Sequence, residues 1–133
     1  MLTYKYRNFY EMVEANAKHR PKETVLFVDE RKVDHLRLKQ KVDTFARFLE
    51  FSAIKSGDKI AIIVANSEEF IVSFLAVTKI GAIAVPINTF LKHEEFAYIV
   101  SDAQAKLLIC SPEFAGETSQ LLHVSPIEKI VWT

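Results

Sequence analysis

The sequence predicts an α/β fold, a largely parallel sheet with flanking helices. Three observations carry that expectation. Short β-branched runs alternate with segments of helical periodicity along the chain. The run 59–64 is apolar at nearly every position, as suits a parallel strand covered on both faces. The stretch KIAIIVANSEEFIVSFLAVTKIGAIAVPIN, residues 59–88, reads as strand, turn, buried helix, glycine stop and second strand, the parts of a βαβ unit.

The elements follow in order. Asn8 and Glu11 have the spacing of a capping box, and Phe9, Met12, Val13 and Ala17 share one face of a first helix stopped by Arg20-Pro21. Residues 24–28 form a strand, Asp29-Glu30 a turn, and residues 31–33 a return strand, so a small hairpin is expected. Leu38, Val42, Phe45 and Leu49 then recur at helical spacing. Arg37, Lys39, Lys41, Asp43, Arg47 and Glu50 are expected to face water, and the helix to end near Ser52-Ala53.

In the central unit, Asn66 or Ser67 is positioned to cap a helix whose positive end Glu68 and Glu69 complement. A polar strip through Glu69, Ser73 and Lys79 is all that interrupts its apolar surface. Gly81 is expected to stop it, so Gly81→Val should destabilise the chain severely. Residues 82–85 make the next strand, ended by Pro86. Phe96, Ile99, Val100 and Ala103 mark another amphipathic helix, and residues 106–110 another strand. Ser111-Pro112-Glu113 reads as a helix start, with Phe114, Thr118, Leu121 and Leu122 facing inward and Ser125-Pro126 closing it. A last strand spans 128–132.

With 133 residues, half of them apolar, the chain is expected to form a single α/β subdomain over 1–133 with its own core. Its 17 basic and 17 acidic residues balance, which argues against nucleic acid or an anionic membrane as partner. The run 70–87 approaches the length of a membrane span. Lys79 near its centre would cost roughly 2.5–3.5 kcal/mol there, and Gly81 and Pro86 punctuate it, so it reads as core. The opening MLTYKYRNFY lacks the apolar core of a secretory signal, and Cys110 is the only cysteine; a cytoplasmic location is expected.

Chemistry is harder to find. Open α/β sheets bind ligands beyond the carboxyl ends of their strands, which directs attention to Ala65-Asn66-Ser67, Ile87-Asn88-Thr89 and Ser111-Pro112. A phosphate cradle there would need glycines, yet Gly57, Gly81 and Gly116 lie elsewhere. His19, His35, His93 and His123 show no metal-ligand spacing and sit near helix ends. Neither Ser67 nor Ser111 lies in a nucleophile elbow, and Cys110 falls in a buried strand. The Arg37–Lys41 cluster reads as a solvated helix face, and no strand end carries the acidic residues of a Mg²⁺-binding receiver domain. No catalytic, cofactor-binding or metal-binding residue is assigned.

The order of segments resembles the N-terminal region of the adenylate-forming superfamily, the acyl-CoA synthetases, luciferases and peptide-synthetase adenylation domains. The resemblance runs from about Asn8 to Trp132 and is most specific in GDKIAIIVANSEEFIVSFLAVTKIGAIAVPIN. That run is similar to the family's G-D-[RK]-V-A-I…N-S-x-E-F…A-x-x-K-x-G-A-x-x-V-P-[IL]-[ND]. The following LKHEEFAYIVSDAQAKLLI is similar to the family's E-E-L-x-Y-x-x-x-D-x-x-A-K. Three departures stand out. Val33-Asp34-His35-Leu36-Arg37-Leu38 replaces L-T-Y-x-E-L, Ala53 stands where glycine often ends the long helix, and Lys92-His93 replaces Thr-Pro.

The resemblance implies a subdomain of an ATP-dependent ligase that joins a carboxylate to ATP, releases pyrophosphate and passes the acyl group to CoA. Fatty-acid–CoA ligases resemble it most. ATP, Mg²⁺ and CoA are then expected on the remainder of that enzyme, because its Ser/Thr/Gly-rich phosphate loop, Y-G-x-T-E and T-G-D segments and C-terminal lysine have no counterpart in these residues. The chain alone is expected to be inactive and to self-associate through apolar faces that the parent would cover. A free-standing α/β interaction or scaffold domain is the alternative.

Overall fold

Alternation along two buried strands sets the architecture. In the computed structural model, which describes residues 5–118, 121 and 126–133, the chain forms α1 (Phe9–His19), β1 (Thr24–Val28), β2 (Arg31–Asp34), α2 (His35–Phe51), β3 (Lys59–Ile63), α3 (Glu68–Lys79) and β4 (Ile83–Pro86). It continues through α4 (His93–Ala103), β5 (Leu107–Cys110), a 3₁₀ turn (Pro112–Phe114) running into α5 (Ala115–Thr118), and β6 (Lys129–Trp132). The main sheet has the order β4-β3-β5-β6 with every pairing parallel. β1 and β2 form the separate antiparallel hairpin that was expected.

Ile60, Ile62, Leu107 and Ile109 point into a core roofed by α1, α2 and α3. Ala61, Ile63, Leu108 and Cys110 point into a second core under α4 and Leu121. Both central strands are thus covered on both sides, which is why they read as continuous apolar runs. The edge strands β4 and β6 are only half covered.

The helix ends show local rules at work. Asn8 caps α1 by accepting from Glu11 N, but the Glu11 carboxylate takes the N–H and Nε of Arg7, so the capping box is displaced by one residue. Asp34 caps α2 by accepting from Arg37 N at 2.7 Å, filling the place of the family's threonine. Ala53 takes the left-handed conformation at φ 64° even without glycine's freedom. At the end of α3, Ala82 N donates to Val77 O and Gly81 N to Thr78 O, the paired bonds of a Schellman stop. Gly81 has φ 74°, and a Cβ there would lie 2.7 Å from Ser56 Oγ. Left-handed backbone and the close approach of Ser56 therefore both favour glycine. At α4, Glu95 accepts from Lys92 N at 2.7 Å, so the helix is capped without the Thr-Pro start.

Two expectations need correction. Pro86 lies within β4, opposite Ile62, because an edge position tolerates its missing N–H. The helix starting at Ser111-Pro112 begins as a 3₁₀ turn, and the Ser111 hydroxyl does not cap it. Along the polar strip of α3, Glu69 is exposed, Lys79 half-buried and Ser73 buried. Leu122, His123 and Ser125 lie outside the described residues. Among the described residues no helix is long and apolar enough to cross a membrane.

Candidate functional site

The strand order reverses direction between β3 and β5, so the crevice beyond their carboxyl ends is where such a sheet would take a ligand. Ala65, Ser67, Glu69, Ser111, Glu113 and Thr133 line a small cavity there, of about 250 Å³. Two of its hydroxyl oxygens accept from backbone. Ser67 accepts from Phe70 N at 3.2 Å as the cap of α3. Ser111 Oγ accepts from Ala65 N at 3.4 Å, which ties the two strand ends together. Glu69 and Glu113 add negative charge, which opposes a phosphate.

The third strand end is also structural, since Asn88 Oδ1 accepts from Phe90 N and closes a turn. Asn66 and Asn88 are exposed and Thr89 half-buried. His19 is exposed, His35 is buried at the start of α2, and His93 is half-buried at the start of α4. Cys110 is buried, its Sγ 3.3 Å from the Ser111 carbonyl oxygen. Among the described residues no group of three or more His, Cys, Asp or Glu side chains could hold a metal ion.

Beside this crevice, and sharing Glu69 and Thr133 with it, a groove of about 490 Å³ opens between α2 and α3. Phe45 and Phe48 stack on one wall with centroids 5.8 Å apart, and Val72 lines the other. Glu68 lies at its base and is only 2 % exposed. Lys41 Nζ stands 2.6 Å from Glu68 Oε1. The approach is an ion pair that misses hydrogen-bond direction, leaving Oε1 buried without a directed donor. Lys41 was expected to be solvated; Glu68 stands in the first turn of α3, where it was expected to complement the helix dipole. Their sequence separation carries no pairing signal, so the contact comes from helix packing alone.

A second ionic node sits where α1, α2 and α3 meet. Asp43 accepts from Tyr10 Oη, Lys39 Nζ and Lys79 Nζ, each at 2.6 Å. Burial by itself would raise the Asp43 pKa, but the three donors outweigh it and hold it down at about 2. Lys39 and Asp43 are thus half-buried partners, not members of a solvated face, whereas Arg37, Arg47 and Glu50 are exposed as expected. The Lys39–Asp43 spacing was visible in the sequence as an i,i+4 pair; Tyr10 and Lys79 arrive only through the fold.

A parallel sheet that reverses direction between β3 and β5, with helices on both faces, places the molecule among doubly wound α/β proteins. Within that class the chain belongs to the AMP-binding enzyme family, whose model matches residues 13–131. It is 37% identical over 100 residues to a probable CoA ligase, CCL9, of Humulus lupulus, covering 75% of this chain and 19% of the relative. A crotonobetaine/carnitine–CoA ligase of Escherichia coli O17:K52:H18 is 37% identical over 102 residues, covering 71% of this chain and 20% of the relative. The anthranilate CoA ligase AuaEII, solved with anthranoyl-AMP, superposes with a TM-score of 0.91 at 30% identity, covering 98% of this chain and 26% of that one. The long-chain-fatty-acid-CoA ligase FadD1 of Archaeoglobus fulgidus, at 18% identity and a TM-score of 0.90 over 99% of this chain and 28% of that one, shares the fold. The chain thus spans about a fifth of the length of these curated relatives, 19% and 20%, and its sheet and helices match the N-terminal part of CoA ligases.

Proposed function

We propose that residues 1–133 form one structural N-terminal subdomain of an ATP-dependent acyl-CoA synthetase acting on fatty acids through an acyl-adenylate. The observation that carries this reading is the family match over residues 13–131, combined with strand-end hydroxyls that serve as backbone caps and ties. ATP, Mg²⁺ and CoA do not fit the residues present, because the crevice beyond β3 and β5 has two carboxylates at its rim and no glycine turn. They belong on the remainder of the ligase, and this subdomain supports that remainder without touching the reacting atoms. The enzyme works in the cytoplasm, and the separated chain self-associates.

The fatty-acid assignment rests on the N-S-x-E-F pattern at residues 66–70 and the N-x-x-L-x-x-E-E-x-A-Y-I pattern at residues 88–99. Relatives are named for crotonobetaine, carnitine and anthranilate, so the acid is the point to test. Pyrophosphate exchange by the full-length enzyme should favour a fatty acid over crotonobetaine and anthranilate; the reverse order would overturn the fatty-acid reading. Calorimetric titration of the 133-residue chain with Mg·ATP should show no binding, and micromolar affinity would overturn the supporting role. Light scattering on a sizing column at tens of micromolar should show a species larger than the monomer. A clean monomer would overturn self-association.

A further inference from the structure

We propose that β6 is an interaction surface whose free edge pairs antiparallel with β6 of a second copy of this chain, about a twofold axis. This rests on the self-association proposed above and assigns it a surface. The two ends of the main sheet, β4 and β6, differ in what they offer. On β4, Ile83 N donates to Asp58 O and Ile87 N to Ile62 O. Backbone groups alternate sides along a strand, so Ala84 and Pro86 face outward, and Pro86 has no N–H to give. That edge is blunted. On β6, Thr133 N donates to Cys110 O, and Trp132 lies opposite Cys110 in the register. Val131 and Lys129 therefore face β5, while Ile130 and Trp132 turn N–H and C=O outward. Among the described residues no strand lies beyond β6, and no proline interrupts it.

An open ladder edge takes an extended strand, and β6 is its own complement. With Val131 on the axis, Ile130 of each copy meets Trp132 of the other, and the outward N–H and C=O groups pair fully. That register sets Trp132, 48% exposed, against the half-buried Ile130, an apolar cross-strand pair. It sets Lys129 against Thr133, so no like charges oppose each other across the strands. The 17 basic and 17 acidic residues balance, so two copies approach without net repulsion. The pairing also closes. With β4 blunted, it stops at two copies and does not extend into a fibre.

Trp132 is the only tryptophan, so it reports on this edge alone. As the 133-residue chain is diluted through tens of micromolar, light scattering should follow a dimer to monomer. Trp132 emission should shift to the red over the same range. Ile130→Pro gives β6 the block that Pro86 gives β4, and it removes the outward Ile130 N–H from both copies. It should weaken the dimer at least about tenfold, whereas Ala84→Pro on β4 should leave it unchanged. Val131→Cys is the second test, and it decides if Ile130→Pro does not fold. On the axis its Cα atoms would stand about 4.5 Å apart, within disulfide reach, so mild oxidation should link two copies; Cys110 is buried and does not compete. Ile83→Cys on β4 should not link. A larger species that ignores Ile130→Pro, an emission that ignores dilution, or no link through Val131→Cys would overturn the pairing and leave self-association standing. A monomer throughout would overturn both, and neither result touches the ligase reading.

Discussion

On one side of the sheet, α1, α2 and α3 meet over Ile60, Ile62, Leu107 and Ile109; on the other, α4 and Leu121 cover Ala61, Ile63, Leu108 and Cys110. The three-helix side carries two ionic nodes in its seams, Asp43 with three donors and Glu68 with Lys41. Among the described residues the α4 side is packed by hydrocarbon around Phe96 and Val100, with the buried Thr118 hydroxyl turned back onto Phe114 O. Where several helices stack on one another, their polar residues meet at seams that cannot all reach water, and buried charge must then be paired. A single helix lying on a sheet can turn its polar face outward instead. Apolar burial therefore supplies the stability of both sides, while the nodes fix how the three helices sit against each other.

The largest effect should come from the hydrocarbon side. Phe96 is 1% exposed, and Phe96→Ala should cost about 3–5 kcal/mol through lost burial and the cavity left behind. Urea unfolding measures it; a loss under about 1 kcal/mol would mean that α4 settles into the gap and that this side is loosely packed.

Next comes Lys41→Met, which leaves the Glu68 carboxylate buried without its cation and should cost about 3 kcal/mol. Adding Glu68→Met should recover most of that loss, because removing both charges costs less than stranding one. A double variant no more stable than Lys41→Met would argue that the pair does more than neutralise itself.

Asp43→Asn is expected to be milder and to depend on pH. The Asp43 pKa falls from 3.8 to about 2 on folding, which is worth about 2 kcal/mol at neutral pH. A depressed carboxylate pKa contributes fully above the unfolded value and is lost as pH falls through the folded one. The wild type should therefore lose this stability between pH 4 and pH 2, and Asp43→Asn should flatten that part of the curve. Chemical denaturation at several pH values would show whether the slopes differ.

The smallest change is a gain. Ala53 sits at φ 64° after α2, so Ala53→Gly should relieve left-handed strain and stabilise by about 1 kcal/mol or less. A lower urea midpoint would show that the Ala53 methyl packs more usefully than its backbone is strained.

Much of this was legible locally. The caps at Asn8, Asp34 and Ser67, the hairpin turn at Asp29-Glu30 and the stop at Gly81 follow from short-range chemistry, which acts within a few residues and so leaves its mark in the sequence. The apolar runs of β3 and β5 announced strands covered on both faces. The candidate site was only half visible. Its strand-end crevice follows from the βα pattern, but the groove does not, because Lys41 and Glu68 look like ordinary solvated residues on their own helices.

The sequence by itself determined the elements, their caps and stops, and the family whose pattern residues 59–88 carry, since periodicity and capping are properties of neighbouring residues. Tertiary structure decided what the charges do. Asp43, Lys41 and Glu68 acquire partners only when α1, α2 and α3 close over the sheet. The Ser111 hydroxyl, spelled as a helix start, goes to Ala65 because β3 and β5 become neighbours. A polar side chain bonds whichever partner folding brings within about 3 Å, and packing, not sequence distance, chooses it.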